Sequence, residues 1–305
     1  MNSKKFSNIK RIIILGETGF LGGRLSRHLR QHFPDKEIIG YGSSTIDLTK
    51  PEEVSRLSDV FDLTSAVVMC SMIKKQVGDN LETFSRNLAM TANLSRVLEK
   101  KPVRRFVYLS SAAVYGEDVE NTRITEETGV QATSYYGIAK YASECLLRKV
   151  IAGQPQSSLL ILRPPTIYGP GDRDAAYGPT GFIKKAIAQE PITIWGDGME
   201  QREFIFIDDF LEAASRLLFH EFEGVVNVVS GKSYTFQDVV KILPAGLGLH
   251  ILEIHSRERT KSKADHGFSN VKLKKLLPDM RFTPLREGVE KTFYAESNQE
   301  AVARR

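Results

Sequence analysis

The fold class is decided near the start of the chain by the stretch Arg11-Ile-Ile-Ile-Leu15-Gly16-Glu-Thr-Gly19-Phe-Leu-Gly22-Gly23. Its short apolar run, rich in β-branched residues, predicts a buried strand. The glycines that follow allow a tight turn and a close approach of the backbone to a diphosphate, and a helical apolar pattern comes next. A helix N-terminus offers N–H donors and the positive end of a dipole. This order therefore predicts dinucleotide binding rather than only a flexible turn.

Strands and amphipathic helices alternate beyond this turn. Apolar runs predict further strands at residues 37–41, 62–69 and 105–109, and a helical pattern covers about 80–100. Alternation of this kind predicts an α/β fold built on a Rossmann-type doubly wound parallel sheet. Ligands of such sheets bind beyond the carboxyl ends of the strands.

Composition narrows the class of protein. The 305 residues are 41% apolar and 26% charged, which is typical of a globular chain, and the net charge of +5 is scattered. The sequence contains no basic run with interleaved aromatics of the kind that predicts nucleic-acid binding. It also contains no apolar run that reaches the ~20 residues of a membrane span. Two cysteines and six histidines without ligand spacing predict neither a disulfide framework nor a metal site. We expect a soluble cytoplasmic protein with a small-molecule substrate.

A tyrosine and a lysine, Tyr136 and Lys140, stand four residues apart in a helical pattern. Residues at this spacing share a helix face, so the lysine ammonium is expected beside the phenol. A free tyrosine has a pKa of about 10, and a neighbouring cation would lower it towards neutrality. The pair alone is weak, because it also occurs on solvated helix faces, and Ser110 and Ser111 after a strand could likewise be turn residues.

The order of three motifs is more specific: Gly16-x-x-Gly19-x-x-Gly22, Tyr108-Leu-Ser-Ser-Ala-Ala-Val-Tyr-Gly116 and Tyr136-x-x-x-Lys140. Together they resemble the extended short-chain dehydrogenase/reductase superfamily, in its NAD-dependent epimerase/dehydratase (nucleotide-sugar) branch. The likeness continues at Leu162-Arg163-Pro-Pro-Thr166-Ile-Tyr168-Gly-Pro170 and at Gln201-Arg202-Glu-Phe-Ile-Phe-Ile-Asp208-Asp209, and it extends from about residue 10 to residue 295.

The resemblance implies a set of functional residues. Ser111, Tyr136 and Lys140 match the catalytic serine, base and lysine of the family. The cofactor-binding residues that it implies are Gly16, Thr18, Gly19, Phe20, Leu21, Gly22, Ser43, Asp47, Leu48, Cys70, Tyr136 and Lys140. The substrate-binding residues expected beside them are Ser111, Tyr136, Thr166, Phe182, Trp195, Arg202 and Arg257.

Several of these assignments have alternatives. Arg202 could bind a substrate diphosphate or form a surface ion pair with Glu200 or Glu203, and Arg257 lies in an expected polar loop at residues 253–266. The positions after the second strand contain no acidic residue that would bind a ribose hydroxyl of NAD. They also contain no arginine that would bind the 2′-phosphate of NADP. Glu17 in the glycine loop would repel such a phosphate, so NAD is the expected cofactor and NADP stays open.

Departures from the family patterns narrow the reaction. The 4,6-dehydratases carry Asp-Glu where this chain has Ala112 and Ala113. The epimerase–reductases that make fucose carry a cysteine in that turn and a histidine downstream, whereas this chain has Ala112 and no histidine from Gly171 to Phe182. Without a second acid/base pair, redox chemistry at one carbon remains. We therefore expect an enzyme of carbohydrate biosynthesis, a nucleotide-sugar 4-epimerase. The alternatives are a 4-dehydrogenase or 4-keto reductase with exchangeable cofactor and, from another class, a non-catalytic cofactor-binding sensor or scaffold.

The resemblance also implies an architecture. Residues 1–168 are expected to form the dinucleotide-binding domain, to which the chain returns at about 202–228, and residues 169–305 the smaller substrate-binding lobe. A homodimer packed through the helices near 80–100 and 135–150 is expected. Lys74 and Lys75 stand where relatives usually have small residues, and they could reach an anionic substrate or lie in a solvated loop.

Overall fold

The computed structural model describes residues 6–172, 177–247, 253–259 and 262–303. The strands, in chain order, are β1 (Arg11–Leu15), β2 (Glu37–Tyr41), β3 (Ser65–Met69), β4 (Arg105–Leu109), β5 (Asn121–Ile124), β6 (Leu159–Arg163), β7 (Thr166–Tyr168), β8 (Ile192–Trp195), β9 (Gln201–Phe206), β10 (Gly224–Asn227), β11 (Ser233–Thr235), β12 (Ile254–Arg257) and β13 (His266–Phe268). The helices are α1 (Phe20–His32), α2 (Pro51–Val54), α3 (Leu81–Lys100), α4 (Tyr135–Ala152), α5 (Gly178–Ile187), α6 (Ile207–Leu218), α7 (Phe236–Leu247), α8 (Val271–Leu276) and α9 (Leu285–Ala303).

A six-stranded sheet in the order β2-β1-β3-β4-β6-β10 forms the centre of the molecule. Every neighbouring pair in it is parallel, so the predicted α/β class and Rossmann-type sheet are confirmed. The prediction for β3 began too early: the strand starts at Ser65. Asp62 instead holds a turn, because its Oδ1 accepts hydrogen bonds from the backbone N–H of Thr64 (2.7 Å) and the Ser65 hydroxyl (2.9 Å).

Alternate residues of the central strands enter two hydrophobic cores on opposite faces of the sheet. Ile12 and Ile14 pack with α1 and α6, whereas Ile13 and Leu15 pack with α2, α3 and α4. Both faces of β1 are therefore covered, which explains its continuous apolar sequence. Layers on both faces leave the carboxyl edge of the sheet as the place for a ligand.

Smaller sheets accompany the central sheet. β7, β9 and β11 form one three-stranded sheet, and β8 pairs with β12 and β5 with β13. The expected polar loop at 253–266 is wrong in part, because Ile254–Arg257 is a strand hydrogen-bonded to β8, while residues 260–261 lie outside the described residues. The chain returns to the main sheet through α6 and β10. The division into two domains remains a prediction.

None of the helices in the described ranges is long and apolar enough to cross a membrane. Within the same ranges, no group of three or more histidine, cysteine, aspartate or glutamate side chains is arranged to hold a metal ion.

Candidate active site

A cleft of about 720 Å³ opens at the carboxyl edge of the main sheet. Its floor is formed where β1, β3, β4 and β6 end, and the loops after these strands provide much of its wall. All twelve residues expected to bind the cofactor and all three expected catalytic residues line it. Their individual roles remain predictions.

The glycine turn shapes one end of the cleft. Gly16 has a φ of +92°, a region that favours glycine, and an added Cβ on Gly22 would collide with the Gly16 carbonyl oxygen. Helix α1 follows with Gly19 at its N-cap and no acidic residue in its first turn. The first-turn N–H groups have no intrahelical acceptor. The turn is thus a cradle that fits the diphosphate of a dinucleotide.

Glu17 lies behind this cradle rather than in the cleft. Its carboxylate accepts hydrogen bonds from the Ser26 hydroxyl (2.5 Å) and from Arg30 (2.9 Å), and both lower its pKa. Because Arg30 compensates its charge, Glu17 repels a phosphate less than the sequence suggested, and this weakens the argument for NAD over NADP. Arg86, which the sequence argument missed, lines the cleft near Asp47 and lowers the pKa of that carboxyl in part.

Close packing between α4 and the turn after β4 brings the expected catalytic residues together. Ser111 caps this turn, its Oγ accepting a hydrogen bond from the Ala113 N–H at 3.1 Å. The N-cap of α4, Ser134, accepts one from the Gly137 N–H at 3.0 Å. A Cβ on Gly137 would lie 2.7 Å from the Ala113 carbonyl oxygen, so only glycine allows this approach. Tyr136, beside Gly137, is thereby held against Ser111.

The ionisation of Tyr136 differs from the sequence expectation. Burial raises the pKa of its phenol to about 12, although the Ser111 side chain lowers it in part and Glu117 raises it further. The ammonium of Lys140 lies 5.7 Å from the Tyr136 ring centroid and donates a hydrogen bond to the Leu109 carbonyl at 2.5 Å. Burial also lowers the pKa of Lys140 to about 8. The expected lowering of the tyrosine pKa by the lysine is therefore wrong, because desolvation dominates.

A buried polar network supports these residues from behind, and sequence reasoning missed it. Glu144, one helical turn after Lys140, accepts hydrogen bonds from the Ser110 hydroxyl (2.5 Å) and from Arg163 (2.8 and 2.6 Å). Arg163 also donates to the Tyr115 hydroxyl at 2.9 Å. The network joins β4, α4 and β6, which fixes the strand end that carries Ser111 relative to the helix that carries Tyr136.

The other half of the cleft is lined by Thr166, Arg202, Glu203 and His266. Arg202 forms an ion pair with Glu200 and also donates to the Glu117 backbone carbonyl at 3.1 Å. The ion pair with Glu200, one of the alternatives for Arg202, is therefore present, and Arg202 also lines the cleft.

Three expected substrate residues are not brought to the cleft. Phe182 is 1% exposed and packs in the core, its ring centroid 5.1 Å from that of Tyr177. Trp195 and Arg257 are register partners at the ends of β8 and β12, and both are exposed outside the cleft. Long-range pairing decides this placement, and no local pattern in the sequence indicated it.

Comparison with known proteins agrees with this geometry. The model of the NAD dependent epimerase/dehydratase family matches residues 12–229, and the chain belongs to this family.

The individual relatives and solved structures share low sequence identity with this chain. GDP-6-deoxy-D-mannose reductase of Pseudomonas aeruginosa is 27% identical over 82% of this chain and 85% of its own length. The structure of Thermus thermophilus UDP-glucose 4-epimerase in complex with NAD has a TM-score of 0.81 at 23% identity, covering 94% of this chain and 98% of its own. UDP-glucuronic acid 4-epimerase from Bacillus cereus, in complex with UDP-glucuronic acid and NAD, has a TM-score of 0.80 at 20% identity, covering 95% and 99%. Both structures share the fold of this protein.

Proposed function

We propose that this protein is an NAD-dependent nucleotide-sugar 4-epimerase that acts by transient hydride transfer at sugar C4. The observation that carries the proposal is the convergence of Ser111, Tyr136 and Lys140 in the cleft that also contains the glycine cradle. The structural likeness to UDP-glucose 4-epimerase in complex with NAD supports it.

Each of the three residues has a defined task in the proposed reaction. Tyr136 removes the proton of the 4-hydroxyl, and the Ser111 hydroxyl hydrogen-bonds the same oxygen and stabilises the charge that develops on it. Lys140 is placed one turn below Tyr136, where it can bind the ribose hydroxyls next to the nicotinamide. An oxidised nicotinamide, when bound, would supply the hydride acceptor, and its positive charge would favour the phenolate of Tyr136.

The proposed chemistry is confined to one carbon. Ala112 and Ala113 follow Ser111 in the cleft wall, and neither can transfer a proton. Dehydration and epimerisation at C3 or C5 need a second acid and base near the ring. Reversible oxidation at C4, with hydride returned to either face, needs only the tyrosine and the serine.

The alternative function is a 4-dehydrogenase or 4-keto reductase with exchangeable cofactor, and the similarity to GDP-6-deoxy-D-mannose reductase favours it. Mass spectrometry of the denatured purified protein separates the two functions. Stoichiometric retained NAD supports the epimerase, whereas an empty site with turnover of added NADPH supports the reductase. A protein that shows neither cofactor binding nor turnover would contradict both enzymatic functions, and it would favour a sensor or scaffold.

Tyr136→Phe tests the catalytic assignment. The variant should lose turnover by about a hundredfold or more while its dinucleotide affinity changes little, because the phenol oxygen transfers the proton. A variant with nearly full activity would remove Tyr136 from the mechanism. Tyr135→Phe is the matched control, since that neighbouring phenol is 43% exposed and lies outside the cleft.

A homodimer through α3 and α4 is part of the proposal. Large apolar side chains are exposed on and beside these helices, and exposed apolar surface of this kind can mark an interface: Val77, Leu81, Tyr135, Ile138 and Tyr141. Light scattering should give twice the chain mass for the wild type and the monomer mass for Ile138→Glu. A monomeric wild type would contradict the dimer. A cytoplasmic location is proposed with it, and cell fractionation tests it.

A further inference from the structure

The loop after β3 contributes a lysine, Lys74, that forms an ion pair across the cleft. Its Nζ lies 3.1 Å from Oδ1 of Asp172, which follows β7 in the chain, and both residues line the cleft. In the main sheet β4 lies between β3 and β6, and β6 leads into β7. The ion pair therefore joins segments that follow strands on either side of β4, the strand that leads to Ser111.

The backbone beside each partner of this ion pair is held by further hydrogen bonds. Asn87 accepts from the Ile73 N–H at 2.7 Å and donates to the Ile73 carbonyl at 3.1 Å. On the other side, the Lys184 ammonium donates to the backbone carbonyl of Asp172. The side chain of Lys74 is 36% exposed and that of Asp172 16%, so the pair can open by rotation of two partly solvated side chains.

The same loop runs against the diphosphate cradle. Lys74 Nζ lies 5.8 Å from the ring centroid of Phe20, the first residue of α1, which directly follows the N-cap Gly19. Ser71 packs on the glycine turn, because a Cβ on Gly16 would lie 2.9 Å from the Ser71 nitrogen. The ion pair of Lys74 is thus made beside the residues that fit the diphosphate of a dinucleotide.

The far end of the loop reaches the helix expected to hold the nicotinamide. Lys75 Nζ lies 2.9 Å from Glu117 Oε2, and Asp79 Oδ1 accepts a hydrogen bond from the Tyr136 N–H at 2.9 Å. The loop therefore extends from the glycine cradle to α4, which carries Tyr136 and Lys140. A dinucleotide that occupies the cleft from the cradle to Tyr136 lies along this loop.

We propose that the ion pair between Lys74 and Asp172 is a clasp that closes the cleft along the dinucleotide and opens for its exchange. The inference rests on the proposed use of a nicotinamide cofactor and adds a control of its entry and release. The clasp is made by two side chains of the protein and belongs to both the free and the loaded form. Its loss should therefore speed entry and release alike and leave the equilibrium affinity almost unchanged.

Isotope exchange measures the release rate. Protein loaded with NAD, or with NADPH if it retains no NAD, is mixed with an excess of the deuterated cofactor, and the label that it holds is followed by mass spectrometry. Asp172→Asn and Lys74→Met should each release the cofactor about fivefold faster than the wild type, while the dissociation constant from calorimetry changes less than about twofold. The double variant should be no faster than either single variant, since all three lack the same pair.

Two controls accompany these variants. Glu127→Gln breaks a matched ion pair, with Lys272 at 3.0 Å, that lies outside the cleft, and it should leave the release rate unchanged. Raising the salt concentration from about 0.05 M to about 0.5 M screens partly exposed charges. It should speed release from the wild type but not from Asp172→Asn.

Unchanged release rates in both variants would overturn the clasp while leaving the proposed function intact. Weaker affinity in Lys74→Met with tighter affinity in Asp172→Asn would also overturn it, because Lys74 would then bind the cofactor phosphates itself. Where a variant fails to fold, the salt series on the wild type decides, and a release rate independent of salt overturns the proposal. If the wild type binds neither NAD nor NADPH, the proposed function fails together with this inference.

Discussion

Replacing Glu203 by glutamine should change how the stability of this protein depends on pH. Glu203 lies on β9 and is 1% exposed. One carboxylate oxygen accepts hydrogen bonds from the N–H groups of Ser230 and of Gly231 (3.0 Å), and the other has no hydrogen-bond partner. Burial outweighs the two hydrogen bonds, and it raises the pKa of Glu203 from 4.5 to about 7.

The sign follows from proton binding. Between pH 4.5 and about 7 the unfolded chain has lost the Glu203 proton while the folded protein keeps it. Unfolding then releases a proton, so this group makes the free energy of unfolding fall as the pH rises through that window. Each pKa unit corresponds to about 1.36 kcal/mol, and the shift therefore costs roughly 3 kcal/mol once Glu203 is ionised.

Glu203→Gln keeps a carbonyl oxygen for the two N–H donors but cannot ionise. Relative to the wild type, its free energy of unfolding should rise by roughly 3 kcal/mol between pH 4.5 and pH 7.5. Urea denaturation followed by circular dichroism at half-unit pH steps measures this difference. Glu99→Gln, at an exposed carboxylate on α3, is the control. A constant difference between wild type and variant across the range would refute the argument that Glu203 is protonated when folded.

Three further predictions concern the cradle, the core and the lysine. Gly22→Ala should weaken NAD binding about tenfold or more in calorimetry, whereas Gly129→Ala, which has nothing within 4 Å of an added Cβ, should not; equal affinities would contradict the cradle. Arg105→Leu should lower the free energy of unfolding by about 3–5 kcal/mol, because the buried guanidinium bonds the carbonyls of Leu217 and Phe222 at 3.1 and 2.8 Å; a loss below about 1 kcal/mol would contradict this. NAD affinity should fall as the pH rises through about 8, because burial lowers the pKa of Lys140 to that value and the neutral amine no longer carries a positive charge; a flat profile from pH 7 to about 9.5 would contradict the assignment of Lys140 to cofactor binding.

Local chemistry in the sequence was sufficient for the fold class and for the cofactor end of the cleft. The β-branched run before Gly16 is typical of a buried strand, and the contact that requires glycine at position 22 is with Gly16, a few residues earlier in the chain. The helix that carries Tyr136 and Lys140 follows Ser134 as its N-cap, a residue type that favours this position. These features depend on neighbours a few residues away, so a pattern could predict them.

Tertiary structure alone decided the charges and partners in the cleft. Lys75 meets Glu117 across 42 residues of sequence, and Arg202 meets the same loop across 85. The pKa values of Tyr136 and Glu203 are raised by desolvation, which depends on everything packed around them. The sequence thus determined that a tyrosine and a lysine share a helix face behind a glycine turn. Only the folded chain decided that the pKa of the tyrosine is raised, because burial acts through the whole surrounding core and spacing does not.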